Sequence, residues 1–223
     1  MVSRKMPIVT KPIPQFKAFK GRLLVPQMQT AVETLQYELA FQFAERALQD
    51  SEGEVEVLEA CASTLLECAE NGVHPGESLR MAQESLAKAV EMQPLSGSDK
   101  FLSLGQISDG QDALLLFRSG ISLMESELGN ESPEMGKTTT RRLAGALCSM
   151  ADIYMTDCCQ LPEAESECDS LTSRAMQLDP NSPEVWATIA NVRMSQCRTE
   201  DAKDAILSSV KIWEGSKRGT LLN

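Results

Sequence analysis

An all-α solenoid of stacked helix–turn–helix units is predicted for this chain by three observations. Apolar residues recur at helical spacing through most of the 223 residues, while the period-two alternation of strands is absent. Aromatic residues make up only 4% of the chain and Ala, Leu, Met and Ser are plentiful, a mixture suited to helices packed closely through small side chains. A spaced cluster also repeats: a large residue, an aliphatic–small pair three residues on, and in the next helix Ala-x3-large ahead of a proline. Its clearest copy lies between Leu171 and Ser209, as Trp186-x2-Ile189-Ala190 followed by Ala202-x3-Ile206, with Pro180 closing the helix before it.

That spacing is the tetratricopeptide repeat (TPR) pattern, W-x2-L-G-x2-Y, then A-x3-F, then P. About five units are expected, stacked as a right-handed superhelix because no single pair can bury its apolar face alone. The organisation predicted is a basic, proline-rich disordered arm over 1–25, a TPR solenoid over 26–214 and a frayed tail over 215–223. In the arm, Pro7, Pro12 and Pro14 stand among Arg4, Lys5, Lys11, Lys17, Lys20 and Arg22 without any acid. Prolines at that density prevent a continuous amphipathic helix and so argue against a mitochondrial presequence; the basic residues admit a weak nuclear-import reading.

The repeats follow in order. Helical pattern starts near Met28, and Ala40, Ala44 and Ala47, with Phe43 and Leu48, form the stripe of a second helix that Gly53 ends. Val55 to Glu70 places Leu58, Cys61, Ala62, Leu65 and Cys68 on one face, and Asn71-Gly72 stops it, with Pro75-Gly76 continuing the turn. The partner helix carries Leu79, Ala82, Leu86, Ala89 and Val90 before Pro94. Phe101-x2-Leu104-Gly105 opens the third unit and Ala113-x3-Phe117 and Gly120 continue it; Gly105 is required where two helices approach closely. A polar loop is expected over Gly129 to Gly136, then a long helix over Thr139 to Cys159 with Leu147, Met150, Ala151 and Tyr154 inward. Pro162 opens its partner, which carries Ala164, Cys168, Leu171 and Ala175 and closes at Asp179-Pro180. The last helix is expected to end near Trp213–Gly215.

Several functions are disfavoured. The net charge is −11 although the arm is basic, so the body is strongly acidic; it repels nucleic-acid phosphates and favours basic partners. No run of about 20 apolar residues exists to span a membrane. Seven cysteines, none in a C-x-x-C pair, read as small apolar core groups in a reducing compartment. Gly136-Lys137-Thr138 resembles a phosphate-loop ending, but the required earlier glycine is Glu131 and no strand precedes it. His74 is the only histidine, read as a solvated loop residue without metal or triad partners, and the sequon Asn130-Glu131-Ser132 is not expected to be used. Nothing assembles a nucleophile, base and oxyanion site, so no enzyme, cofactor or metal is expected.

In a TPR stack the first helix of each pair lines the inner groove, and the residue after its small position faces inward. Those residues are Ser63, Gln106, Asp152 and Asn191, with Glu56, Glu59, Asp99, Asp109 and Glu184 one turn away. Amides and carboxylates so placed can hold an extended peptide's backbone and its Lys or Arg side chains.

Particular stretches go beyond a generic TPR. Pro94-x2-Gly97-x2-Lys100-Phe101-x2-Leu104-Gly105-Gln106 leads to Gly110, Ala113 and Gly120-Ile121. Leu143-Ala144-x-Ala146-Leu147-Cys148-Ser149 leads to Tyr154-Met155-Thr156-Asp157-Cys158. Ala164-Glu165, Cys168, Asp179-Pro180, Ser195-Gln196, Ser209 and Trp213 complete the set. Over about residues 28–214 the chain resembles the TPR chaperones that escort large-subunit ribosomal protein L-four, most specifically at Lys100–Gln106 and Tyr154–Asp157. The resemblance implies a dedicated chaperone that binds this very basic protein in its groove and shields the client's extended loop. It further implies passage with the client from cytoplasm to nucleus alongside an import receptor. It also implies further repeats and an acidic region after unit five, so the chain reads as a C-terminally shortened member.

Two other readings stay open at this point. A scaffold or co-chaperone adaptor clamping an acidic peptide needs inward cations, for which only Lys100 and Arg193 are near suitable places. A structural subunit completed by another chain would form a stable oligomer.

Overall fold

In the computed structural model, which describes residues 21–51, 53–128 and 133–220, the order is a 3-10 turn (Gly21–Leu24) followed by helices alone. They are α1 (Val25–Glu33), α2 (Tyr37–Asp50), α3 (Val55–Glu70), α4 (Pro75–Met92), α5 (Ser98–Gln106), α6 (Gly110–Leu128), α7 (Pro133–Met155), α8 (Ala164–Leu178), α9 (Pro183–Ser195) and α10 (Thr199–Thr220). The fold is all-α and TPR-type, and no strand occurs among the described residues. No helix among them is long and apolar enough to cross a membrane. The chain divides within α4 into two compact units, Met1–Ser78 and Leu79–Asn223.

In the first unit α2 packs against both α1 and α3 through the expected small residues, with Ala40, Ala44 and Ala47 fully buried. Leu58, Cys61, Ala62, Leu65 and Cys68 line the buried face of α3, whose limits match the sequence reading residue for residue. Gly72, at φ +78°, supplies the left-handed turn that ends it. Three expectations change. The arm does not extend to residue 25, because Gly21–Leu24 forms a turn that buries Leu24; the rest of the arm lies outside the described residues. Pro75 and Gly76 belong to α4, where proline's fixed φ and missing N–H suit a first turn. His74 is more than a solvated loop residue: its ring centroid lies 4.8 Å from that of Phe41, and Nε2 is 3.4 Å from Glu38 Oε1.

The second unit is built from the pairs α5–α6, α7–α8 and α9–α10, with α7 also packed on α6 and α9. Its core joins Phe117, Ile121 and Met124 of α6 to Leu147, Ala151 and Tyr154 of α7, then to Cys168, Leu171 and Ala175 of α8 and Val185 and Val192 of α9. Gly105 performs the predicted close approach: a β-carbon there would stand 2.8 Å from Phe117 Cδ2. Ser182 caps α9 by accepting from the Val185 N–H at 3.4 Å, ahead of Pro183. The motif residue Trp186 is held by its indole N–H, which donates to Pro180 O at 2.9 Å.

The expected loop over 129–136 is in part helix. Residues 129–132, and with them the sequon, lie outside the described residues, while Pro133 opens α7 as an N-terminal proline. That helix stops at Met155, before Cys159, and α8 begins two residues after Pro162. At the other end α10 continues to Thr220, so the backbone is helical where a tail was expected from 215. Leu79 and Ile206, both read as core, are 42% and 49% exposed. Ala202 and Ala205 form the buried stripe of α10, and Ile206 falls beside it.

Candidate functional site

The groove residues divide between the units. Glu56, Glu59 and Ser63 lie on α3 of the first unit. There Ser63 and Glu56 are exposed, Glu59 is half-buried, and Glu56 pairs with Arg22 at 3.1 Å. Asp99 and Gln106 on α5, Asp109 in the following turn, Asp152 on α7, and Glu184 and Asn191 on α9 belong to the second unit and are all exposed. Every position read as inward-facing in the sequence is thus outside the packed core.

The helices that carry Asp152 and Glu184 pack directly on each other. Surrounding protein removes water from the Asp152 carboxyl, and the charge of Glu184 adds to that effect, so the Asp152 pKa is raised above the ordinary carboxylate value. The same two acids act on the Cys148 thiol, whose pKa is pushed up to about 11, first by burial, against a hydrogen bond from Thr188. Among the described residues no cation forms an ion pair with Asp152 or Glu184. Two like charges held together without a counter-ion form a place where an incoming ammonium or guanidinium group gains most.

Asp99 differs, because Arg142 of α7 pairs with it across the face. No motif marked Arg142; it follows the loop whose helical start was not foreseen. Both side chains remain about half exposed or more, at 45% and 67%, so this pair contributes little stability and can exchange for an incoming cation.

The two cations that an acidic-peptide clamp would use are engaged elsewhere. Lys100 is 1% exposed, its Nζ donating to Ser96 O and lying 5.7 Å from the Phe101 ring centroid. Arg193 donates to Asp169 and to Gln196. At Asp169 burial pushes the pKa up, but the hydrogen bonds from Arg193 and Gln196 outweigh it and hold the carboxyl below its ordinary value. The cysteines depart from the uniform core role expected of them: five are buried, whereas Cys159 and Cys197 are exposed. Among the described residues no group of three or more His, Cys, Asp or Glu is arranged to hold a metal ion.

No family model matches the chain. A curated relative from Schizosaccharomyces pombe, named "Probable assembly chaperone of rpl4", is 34% identical over 125 residues, covering 56% of this chain and 37% of the relative. Another of the same name, from Emericella nidulans, is 30% identical over 203 residues, covering 86% of this chain and 49% of the relative. The chain therefore spans about half or less of the length of these relatives. Among solved structures, residues 1–338 of the assembly chaperone of RpL4 (Acl4) superpose with a TM-score of 0.71 at 26% identity, over 88% of this chain and 76% of that one. MamA, at TM-score 0.58 and 13% identity, shares the fold alone. In sequence and in fold, this chain is similar to proteins named as assembly chaperones of rpl4.

Proposed function

We propose that this chain is a dedicated, non-enzymatic chaperone for the basic ribosomal protein rpl4, held by the acidic face of α5, α7 and α9. Likeness to the rpl4 chaperones names the client; the observation that carries the mechanism is the Asp152–Glu184 pair, two neighbouring carboxylates without a protein counter-ion. An Arg or Lys of the client completes that pair, Asn191 and Gln106 offer amides to its backbone, and Arg142 yields Asp99 to a second cation. On the first unit, taken by itself, Glu56, Glu59 and Ser63 offer groups of the same kind to a basic peptide. The basic protein is thereby kept from nucleic acid and aggregation as it passes from the cytoplasm, with an import receptor, to the nucleus. The engaged states of Lys100 and Arg193 disfavour the adaptor reading, since an acidic peptide would find neither free.

The test is a binding titration of purified chain with labelled rpl4 across a salt series. Tight binding at low salt that weakens steeply as the Debye length shrinks is expected. Absence of low-salt binding, or affinity indifferent to salt, would refute the proposal.

A further inference from the structure

A cavity of about 350 Å³ lies inside the second unit, between the ends of α7 and α9 and the start of α8. That volume is at the small end for ligand pockets and leaves room for a long side chain. Its walls mix apolar and polar groups: Met155, Ala164 and Cys168 supply soft apolar surface beside Tyr154, Glu165, Ser195 and Gln196, with Cys159 and Cys197 contributed by the α7–α8 and α9–α10 turns. Both exposed cysteines of the described chain therefore open onto one cavity.

The polar groups in the wall are nearly all committed to the protein itself. The Tyr154 hydroxyl accepts from Arg118 Nη2 at 2.6 Å, and the Ser195 hydroxyl donates to Val192 O at 2.8 Å. Gln196 donates to Asp169 at 3.1 Å while accepting from Arg193 at 2.8 Å and from Arg198 at 3.5 Å. Glu165 is the exception. Its exposed carboxylate lines the cavity and has no ion pair or hydrogen bond among the described residues.

Further carboxylates surround the cavity, beside Arg118, Arg193 and Arg198. Glu163 and Glu167 act on Tyr154 in the wall, and Asp152 and Glu167 act on Cys168. Of the cations close by, Arg193 is matched by Asp169 and Arg198 by Asp201, while Arg118 is held on the Tyr154 hydroxyl. An occupant must therefore offer an apolar stem to sulfur and methyl groups and a single positive end to Glu165. A neutral aliphatic side chain would leave the carboxylate unused, and an acidic one would be repelled.

We propose that this cavity is a side-chain subsite for one lysine or arginine of an extended basic client, stem against Met155, Ala164 and Cys168, cationic head on Glu165. The subsite rests on the client-binding function proposed above and gives it a specificity pocket beyond the Asp152–Glu184 face.

The two exposed thiols report on it directly. Iodoacetamide labelling of the purified chain, resolved by peptide mass spectrometry, should modify Cys159 and Cys197 well before the buried cysteines, whose pKa values burial raises. Saturation with rpl4 should slow labelling at both thiols at least tenfold. Glu165→Gln, with helicity unchanged, should weaken rpl4 binding about tenfold at low salt, whereas Glu200→Gln on exposed α10 should not. If rpl4 binds while either thiol reacts at its free rate, or if Glu165→Gln binds as the parent does, the subsite is wrong and the chaperone function stands. If rpl4 does not bind at all, both fall together.

Discussion

Replacing Gly105 by Ala is a severe test of the packing described here, because the same substitution elsewhere should act in the opposite direction. A β-carbon at position 105 would lie 2.8 Å from Phe117 Cδ2, 2.9 Å from Cε2 and 3.5 Å from Ala113 O. Phe117 is 2% exposed and embedded in the core with Leu114, Ile121 and Met124, so its ring cannot simply swing aside. Overpacking of this kind costs about 1–3 kcal/mol. The gain in helix propensity from Gly to Ala offsets about 1 kcal/mol of that. The net expectation is a loss of up to roughly 2 kcal/mol, or a melting temperature lower by up to roughly 8 °C for a chain of this size. Gly145 in α7 is the control, since a β-carbon there meets no atom within 4 Å. Gly145→Ala should stabilise by about 0.5–1 kcal/mol. Urea unfolding followed by circular dichroism measures both, with m-values expected to stay constant. If Gly105→Ala stabilised the chain as Gly145→Ala does, the α5–α6 contact would be looser than described and the reading of the aliphatic–glycine pair would fail.

Two further outcomes follow from the site. Asp152 has a raised pKa in the folded state, so the folded chain binds a proton more readily than the unfolded chain; the resulting stability is present below the unfolded value and lost as pH rises through the folded one. Asp152→Asn should therefore be more stable than the parent at pH 7, with the advantage shrinking on acidification below pH 4, and urea midpoints at both pH values would expose the opposite sign. Tyr154→Phe removes the acceptor that Arg118 uses at 2.6 Å beneath a core position and should cost roughly 1.5–3 kcal/mol in the same assay. A loss below about 0.5 kcal/mol would show that the Arg118 bond contributes little there.

The legible parts of the fold were those where one residue type has one physical solution. Ala40, Ala44 and Ala47 could only be a close-packed stripe, Asn71-Gly72 could only stop α3, and Gly105 had to face a large neighbour. Prolines misled in a consistent way. Pro75 and Pro133 read as loop but open helices, because proline is tolerated in a first turn and the sequence alone does not separate the two uses. Ile206 shows the limit of motif spacing: Ala202 and Ala205 take the buried positions, and the expected large residue is half exposed.

For the site, the inward rungs are read from spacing alone, one residue beyond the small motif position, as at Asp152 after Ala151, and what the structure adds is that they stand outside the core. What the spacing does not carry is pairing between helices. That Asp152 feels the charge of Glu184, that Arg142 pairs with Asp99, and that Cys159 and Cys197 share one cavity with Glu165 all depend on how distant helices pack. Lys100 is the clearest instance: a cation beside a motif aromatic read as near the groove, yet it is buried and capped by Ser96.

The most direct measurement of the central claim is the affinity of the Asp152→Lys, Glu184→Lys double variant for rpl4 at low salt, beside the parent chain. Reversing two carboxylates that lack a protein counter-ion places like charges against a basic client, which costs several kcal/mol. Binding should weaken by about 100-fold or more, the equivalent of at least 2.7 kcal/mol, while the helical signal is retained. Unchanged affinity in a folded double variant would contradict the account and move the client away from the α7–α9 face.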